Sequence, residues 1–265
     1  MWPILFEIGS FQVSTFGLMM ALGFLLATWI TARRFEEYGL DPDLSTTMLL
    51  YCMGGGVAGS KLYYATDVAL RTGAPFLDLL FARDGITWYG GFIGGTLAAI
   101  VGCHLHGIPT RVYANAVAIG AAAGQAVGRI GCFLVGDDYG RVTDVPWGVA
   151  FPLGAPPTLD PVHPTQLYEM AWLFIVAGIL WRRRRASPFL FGEYMALNGI
   201  GRFFVEMLRV NPRVALGLTE PQWIALGLVA LGVIGWLYFR GKPEPAIEAS
   251  TTGPSNERSG KRAQA

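Results

Sequence analysis

Charge is what this chain has least of. Asp, Glu, Lys and Arg make up 15% of its 265 residues, whereas soluble domains carry about 25%, so water is a poor solvent for most of the molecule. Cysteine is sparse too: Cys52, Cys103 and Cys132 are odd in number, far apart, and each inside an apolar stretch. That excludes a disulfide framework and a zinc-type ligand spacing; Cys52 and Cys103 read as small buried hydrophobes. Histidine occurs only at His104, His106 and His163, and no metal or other cofactor is expected. The net charge of +1 comes from short basic clusters beside apolar runs, so nucleic acid is not an expected partner. The amino-terminal stretch lacks a basic n-region, and Arg33-Arg34 rather than a cleavage site follows Ser14 to Thr31. The first apolar segment is therefore expected to stay in the protein.

What is abundant is apolar sequence, 52% of the residues. A span of the hydrocarbon core needs roughly 20 apolar residues, and about seven such segments are legible, near 14–31, 45–65, 87–107, 112–134, 166–181, 189–208 and 221–239. The expected fold is an all-α membrane protein, a bundle of about seven transmembrane helices. Gly54-Gly55-Gly56 with Gly59, and Gly90-Gly91 with Gly94-Gly95, give small-xxx-small spacing, which lets helix backbones approach closely in lipid. Basic residues favour the cytoplasmic side. Arg33, Arg34, Arg111, Arg182 to Arg185, Arg240 and Lys242 then mark inside loops, and Arg71, Arg83, Arg141, Arg209 and Arg213 outside ones. The expected topology is amino terminus outside, carboxyl terminus cytoplasmic. Residues 1–240 form the transmembrane domain, 135–165 a small extracytoplasmic head rich in Pro, Gly and Asp, and 241–265 a disordered cytoplasmic tail.

Ionisable residues inside spans are costly, about 2.5–3.5 kcal/mol each on insertion scales, and mark function by default. Arg129 lies near the outer end of the fourth segment with no obvious local partner. Arg202, Glu206 and Arg209 share one face of the sixth, where Arg209 could snorkel at the interface and Arg202–Glu206 could be a structural ion pair. Arginines facing an outer-leaflet cavity suit phosphate, because the planar guanidinium makes bidentate charge-assisted bonds. A phospholipid headgroup is the anion most available at that depth. A third polar group, His163-Pro164-Thr165-Gln166-Leu167-Tyr168-Glu169, opens the fifth segment.

Taken together, these stretches resemble the prolipoprotein diacylglyceryl transferases, bacterial inner-membrane enzymes. The resemblance runs from Phe16-Gly17-Leu18 through Tyr89-Gly90-Gly91-Phe92-Ile93-Gly94 to the last segment. It is most specific in Gly128-Arg129-Ile130-Gly131-Cys132-Phe133-Leu134-Val135-Gly136-Asp137-Asp138-Tyr139-Gly140, then in the His163 to Glu169 stretch and in Arg202-Phe203-Phe204-Val205-Glu206. It implies a seven-span enzyme that moves a diacylglyceryl group from phosphatidylglycerol to the lipobox cysteine thiol of a prolipoprotein signal peptide, releasing glycerol phosphate. The acceptor thiol belongs to the substrate, so no enzyme cysteine nucleophile is needed. By matching position Arg129 would hold the lipid phosphate and Arg202 would assist, oriented by Glu206. Asp137, Tyr139, Gln166 and Glu169 would complete the phosphatidylglycerol site.

The chain departs from the family pattern at Tyr89, where a histidine proposed as the base for the thiol usually stands. It departs also at Phe16 (often tyrosine), at Cys132 (often asparagine) and at Asp137 (glutamate). Tyrosine, with a reference pKa near 10, is a poor base. Three routes stay open: a phenolate-assisted step at Tyr89, His163 in its place, or no enzyme base. Two other functions compete, a related transferase using the same donor on another acceptor and a non-catalytic phospholipid-binding or transport protein. Release of glycerol phosphate separates an enzyme from a binder.

Overall fold

The computed structural model describes residues 3–8, 11–82 and 85–245; Arg83 and the tail beyond 245 lie outside the described residues. A hairpin of β1 (Ile4–Ile8) and β2 (Phe11–Ser14) precedes α1 (Thr15–Tyr38), α2 (Leu44–Thr72), the short α3 (Phe76–Leu80), α4 (Trp88–Leu105) and α5 (Thr110–Val135). A second hairpin, β3 (Val149–Phe151) with β4 (Thr158–Val162), leads to α6 (Thr165–Arg183) and α7 (Leu190–Glu206). A third, β5 (Arg213–Ala215) with β6 (Leu218–Thr219), leads to α8 (Glu220–Phe239). All three hairpins are antiparallel. The chain is thus mostly helical, with small hairpins that its apolar periodicity does not announce.

Helix boundaries follow local chemistry. Thr219 caps α8 in a full capping box with Gln222, and Pro221 sits in the first turn, where its missing N–H is no loss. At the carboxyl end of α5, Gly136 takes φ 75° and so reverses the chain where a side chain would be strained. The first two helices are longer than the apolar runs that signal them, ending at Tyr38 and Thr72. Polar residues at their ends continue the backbone hydrogen bonding beyond the apolar stretch.

Among the described residues four helices, α1, α4, α5 and α8, are long and apolar enough to cross a membrane. Large apolar side chains on their surfaces point outward, among them Trp29, Phe92, Leu97 and Leu231, whereas Arg34, Asn115, Gln166, Glu169 and Glu206 are buried. Exposed apolar area on this scale is not sustained by a monomer in water and is what hydrocarbon solvates.

The described residues divide into two compact units, one from 3–31 and 114–244, the other from 32–113. In the first, Ala118, Ile119, Ala122, Val176, Leu180 and Leu190 form a buried cluster joining α5, α6 and the start of α7, and α7 packs along α8. In the second, α2 lies against α4 along the two glycine-rich stretches. A Cβ on Gly94 would sit 2.2 Å from the Gly55 carbonyl oxygen, and one on Gly59 2.3 Å from that of Gly90. The crossing therefore requires glycine because backbone meets backbone.

Gly94→Ala is expected to destabilise the protein by about 1–3 kcal/mol or more through overpacking. Gly54→Ala, at a position with nothing within 4 Å of an added Cβ, is the neutral control. Thermal unfolding in detergent checks the pair; equal unfolding temperatures would refute the contact.

Candidate functional site

Three arginines and three carboxylates meet in the first unit. Glu169, on the second turn of α6 and 7% exposed, is their centre. One of its oxygens pairs with Arg129 Nε on α5, and the other accepts from Arg202 Nη1 on α7. Arg202 Nη2 also lies 3.0 Å from Glu206 Oε2 one turn further along α7, in an ion pair. Glu206 is fully buried. Its other oxygen accepts from Asn211 Nδ2 at 2.5 Å and from Thr219 Oγ1 at 3.0 Å, which ties the site to the start of α8.

Asp138 completes the cluster from the turn after α5. Its Oδ2 accepts from Arg129 Nη1 at 3.1 Å and its Oδ1 from Arg209 Nη2. Its backbone has φ 59°, a left-handed conformation that Asp tolerates better than most residues but that marks a constrained turn. The start of α6 holds that turn in place: Thr165 Oγ1 donates to the Asp138 carbonyl at 2.7 Å, and Gln166 Nε2 donates to that of Asp137. Burial works against the Asp138 charge, but the Arg209 and Arg129 guanidinia outweigh it and hold the carboxyl below the usual carboxylate range. Asp137 moves the other way, raised chiefly by burial.

The residues expected to form the site fall into distinct places. Arg129, Arg202, Glu206 and Glu169 are brought together. Gln166, 1% exposed, uses its amide on the turn. Tyr139 stacks on Phe151 with ring centroids 5.4 Å apart and donates to the Pro156 carbonyl at 2.8 Å, so it braces the segment carrying β3 and β4. His163 Nδ1 is 3.2 Å from Tyr168 Oη, which also accepts from Trp147 Nε1 at 2.7 Å. Tyr89 belongs to the other unit, in the first turn of α4, with its ring centroid 5.3 Å from that of Trp88 and 6.2 Å from that of Tyr63. Sequence reasoning left out Asp138, although it adjoins Asp137. Arg209, expected on one helix face with Arg202 and Glu206, lies past the end of α7, with its side chain 9% exposed and paired with Asp138. Arg129, with no carboxylate on its own helix, reaches Cys132 Sγ there at 3.7 Å and has two carboxylate partners from other elements.

The donors left over decide what the site can do. Arg129 spends Nε and Nη1, and Arg202 spends Nη1 and Nη2. Among the described residues nothing accepts from Arg129 Nη2 or Arg202 Nε, and both side chains keep some exposure, 18% and 23%. These N–H groups can receive an anion while the carboxylates hold the guanidinia still. Cys132, Asp137 and Asp138 offer three ligand atoms within 4.8 Å of one another. Asp138 is already committed to two arginines, and a cation beside them would be repelled.

Fold and site define a class: a helical, multi-pass membrane protein with an anion-receptive arginine cluster. Comparison with known proteins narrows it. The family profile described as "Prolipoprotein diacylglyceryl transferase" matches residues 3–238. The chain is 31% identical to the phosphatidylglycerol--prolipoprotein diacylglyceryl transferase of Nostoc sp., over 94% of this chain and 93% of that one. It is 34% identical to the protein of that name from Vibrio vulnificus, over 90% and 92%. For the one from Clostridium tetani the identity is 33%, over 88% and 96%. The chain belongs to the prolipoprotein diacylglyceryl transferase family.

Asp138 gives the site a pH dependence of definite sign. Because its folded pKa is lowered, its contribution to stability is fully present above the unfolded value, about 3.9, and is lost as pH falls through the lowered folded value. Asp138→Asn should therefore be less stable than wild type at neutral pH and show a flatter acid limb. Unfolding temperatures in detergent between about pH 2 and 7 check this; parallel curves would refute it.

Proposed function

We propose that this protein transfers the diacylglyceryl group of phosphatidylglycerol to the lipobox cysteine of a prolipoprotein in bacterial lipoprotein maturation, with Arg129 and Arg202 binding the lipid phosphate. The names of its relatives support the donor and the acceptor. The observation that carries the assignment of residues is Glu169 gripping both guanidinia while Arg129 Nη2 and Arg202 Nε keep donors to spare. In the reaction the acceptor sulfur forms a bond to the terminal glyceryl carbon as that carbon's bond to the phosphate oxygen breaks. Glycerol phosphate leaves with the electron pair, and the thiol gives up its proton. Negative charge grows on the departing phosphate, and donors already oriented toward it stabilise that charge without reorganising during the step.

The remaining residues take supporting parts. Glu206 and Glu169 orient Arg202, and Asp138 and Glu169 orient Arg129. Thr165 and Gln166 fix the turn that carries Asp137 and Asp138. Tyr89 is assigned to positioning the lipid or the incoming peptide through its hydroxyl, and His163, hydrogen-bonded to Tyr168, is the alternative group for the thiol proton.

The proposed topology has seven spans, α1, α2, α4, α5, α6, α7 and α8. The amino terminus and the 135–165 head face outward, and the Arg182–Arg185 loop and the tail from 241 face the cytoplasm. Pairing supports counting α6 and α7: Glu169 and Glu206 meet arginines inside the bundle, so charges that lower the hydropathy of these helices do not face lipid. The basic run at the end of α6 supports the orientation.

Wild-type protein in phosphatidylglycerol vesicles with a lipobox peptide should release glycerol phosphate. Arg129→Lys should lose about 10²–10³ of that rate, since an ammonium keeps the charge but not the fork that meets Glu169 and phosphate together. A lysine variant near wild-type activity would end the phosphate assignment, and no release from wild type would end the functional one. Orientation is checked separately by single cysteines placed at Gly154 and Arg185. A membrane-impermeant thiol reagent should label the first and not the second in intact cells, and the reverse pattern would invert the topology.

A further inference from the structure

Gln125 on α5 and Asn198 on α7 lie four residues before Arg129 and Arg202 on their own helices. They therefore sit on the same faces as the arginines, about 6 Å nearer the middle of each helix at 1.5 Å rise per residue. The two helices meet at this level as well. Gln125 Oε1 accepts from Tyr194 Oη at 2.9 Å and from Asn198 Nδ2 at 3.1 Å, and Asn198 Nδ2 also reaches Tyr194 Oη at 3.3 Å. A second, uncharged polar rung thus lies directly beneath the charged one, in helix segments that are otherwise apolar.

The hydrogen bonds within this rung are lopsided. Two donors converge on the Gln125 oxygen, which fixes the amide plane and turns Nε2 away from them. Among the described residues nothing accepts from Nε2, although the side chain is only half-buried. Side chains that glue helices hydrogen-bond across the interface, and Nε2 takes no part in that. The rung holds a fixed N–H pair open to whatever lies below the phosphate.

We propose that Gln125 Nε2 donates to an ester carbonyl of the diacylglyceryl group, with Asn198 and Tyr194 as the residues that position it. The inference rests on the phosphatidylglycerol reading above. In a glycerophospholipid the acyl esters lie between phosphate and tails, displaced from the phosphate by the glycerol carbons, a span of the same order as one helical turn. A lipid whose phosphate sits on Arg129 and Arg202 and whose tails run into the membrane brings an ester oxygen to the depth of Gln125. The carbonyl needs a donor and offers no proton, which matches an amide with its oxygen already occupied. The rung then selects acyl esters over alkyl ethers, and it fixes the glyceryl carbon laterally for attack.

The test compares diacyl and dialkyl phosphatidylglycerol of equal chain length, each presented with the same lipobox peptide, by kcat/KM for glycerol phosphate release. Wild type should prefer the diacyl lipid by about tenfold, the effect of one hydrogen bond. Gln125→Met, which keeps the length of the side chain and loses the amide, should bring the ratio close to one. Asn198→Leu, which leaves the amide but loosens it, should narrow the ratio and serves as the reading if the methionine variant does not accumulate. A wild type indifferent to the two lipids, or a Gln125→Met protein that keeps the wild-type ratio while both rates fall together, overturns the proposal and leaves Gln125 as a packing residue. Wild type that turns over neither lipid overturns the transferase reading itself and takes this inference with it.

Discussion

Two guanidinium groups cannot share a small, poorly hydrated space unless a carboxylate lies between them. Glu169 is that carboxylate, and its two oxygens face Arg129 on one helix and Arg202 on another. Around this centre Arg129, Arg202 and Arg209 are balanced by Asp138, Glu169 and Glu206, so the cluster is close to neutral before any substrate arrives. The first turns of α6 couple it to the chain reversal at Asp137 and Asp138, while Glu206 couples it to Thr219 at the head of α8. Without Glu169, like charges would face each other where screening is weak.

Such a network is poor evidence for stability. Buried ion pairs often do no more than offset the desolvation of their members, and a well-packed apolar replacement could hold the same helices together. What the pairs provide is direction. Each arginine has some N–H groups fixed by carboxylates and others left over, and the leftover groups keep their aim because the fixed ones cannot move. A flexible arginine in the same place would meet any anion at a cost in orientation, whereas these are already placed. The neutral rung beneath follows the same logic with amides: the oxygen of Gln125 is held so that its nitrogen points elsewhere.

The scaffold solves a different problem, how helices pack when the solvent is as apolar as their side chains. In the second unit the answer is backbone contact through Gly55, Gly59, Gly90 and Gly94, and in the first it is an alanine-rich core with polar rungs. Neither relies on a hydrophobic driving force between helices, which lipid does not supply. Charge inside the first unit is paired at Arg202 and Glu206.

The sequence by itself determined the solvent, the helical class and the family. Each depends on composition, run length or short motifs, and a long apolar segment in hydrocarbon has little choice but to be a helix. It also singled out Arg129, Arg202 and Glu206, since intramembrane charges are costly to insert. It did not announce the three small hairpins, which are set by turns and by the ends of the helices they join. Nor could it show that Glu169 belongs to both arginines, that Arg209 reaches Asp138 across 71 residues of sequence, or that Gln125 meets Tyr194 and Asn198 across 69 and 73. Local periodicity tells which face a residue occupies but not which face of another helix comes to meet it. Those pairings are decided only when helices distant along the chain settle side by side, because a charge–charge or amide contact acts over a few ångströms and leaves no mark on the residues between.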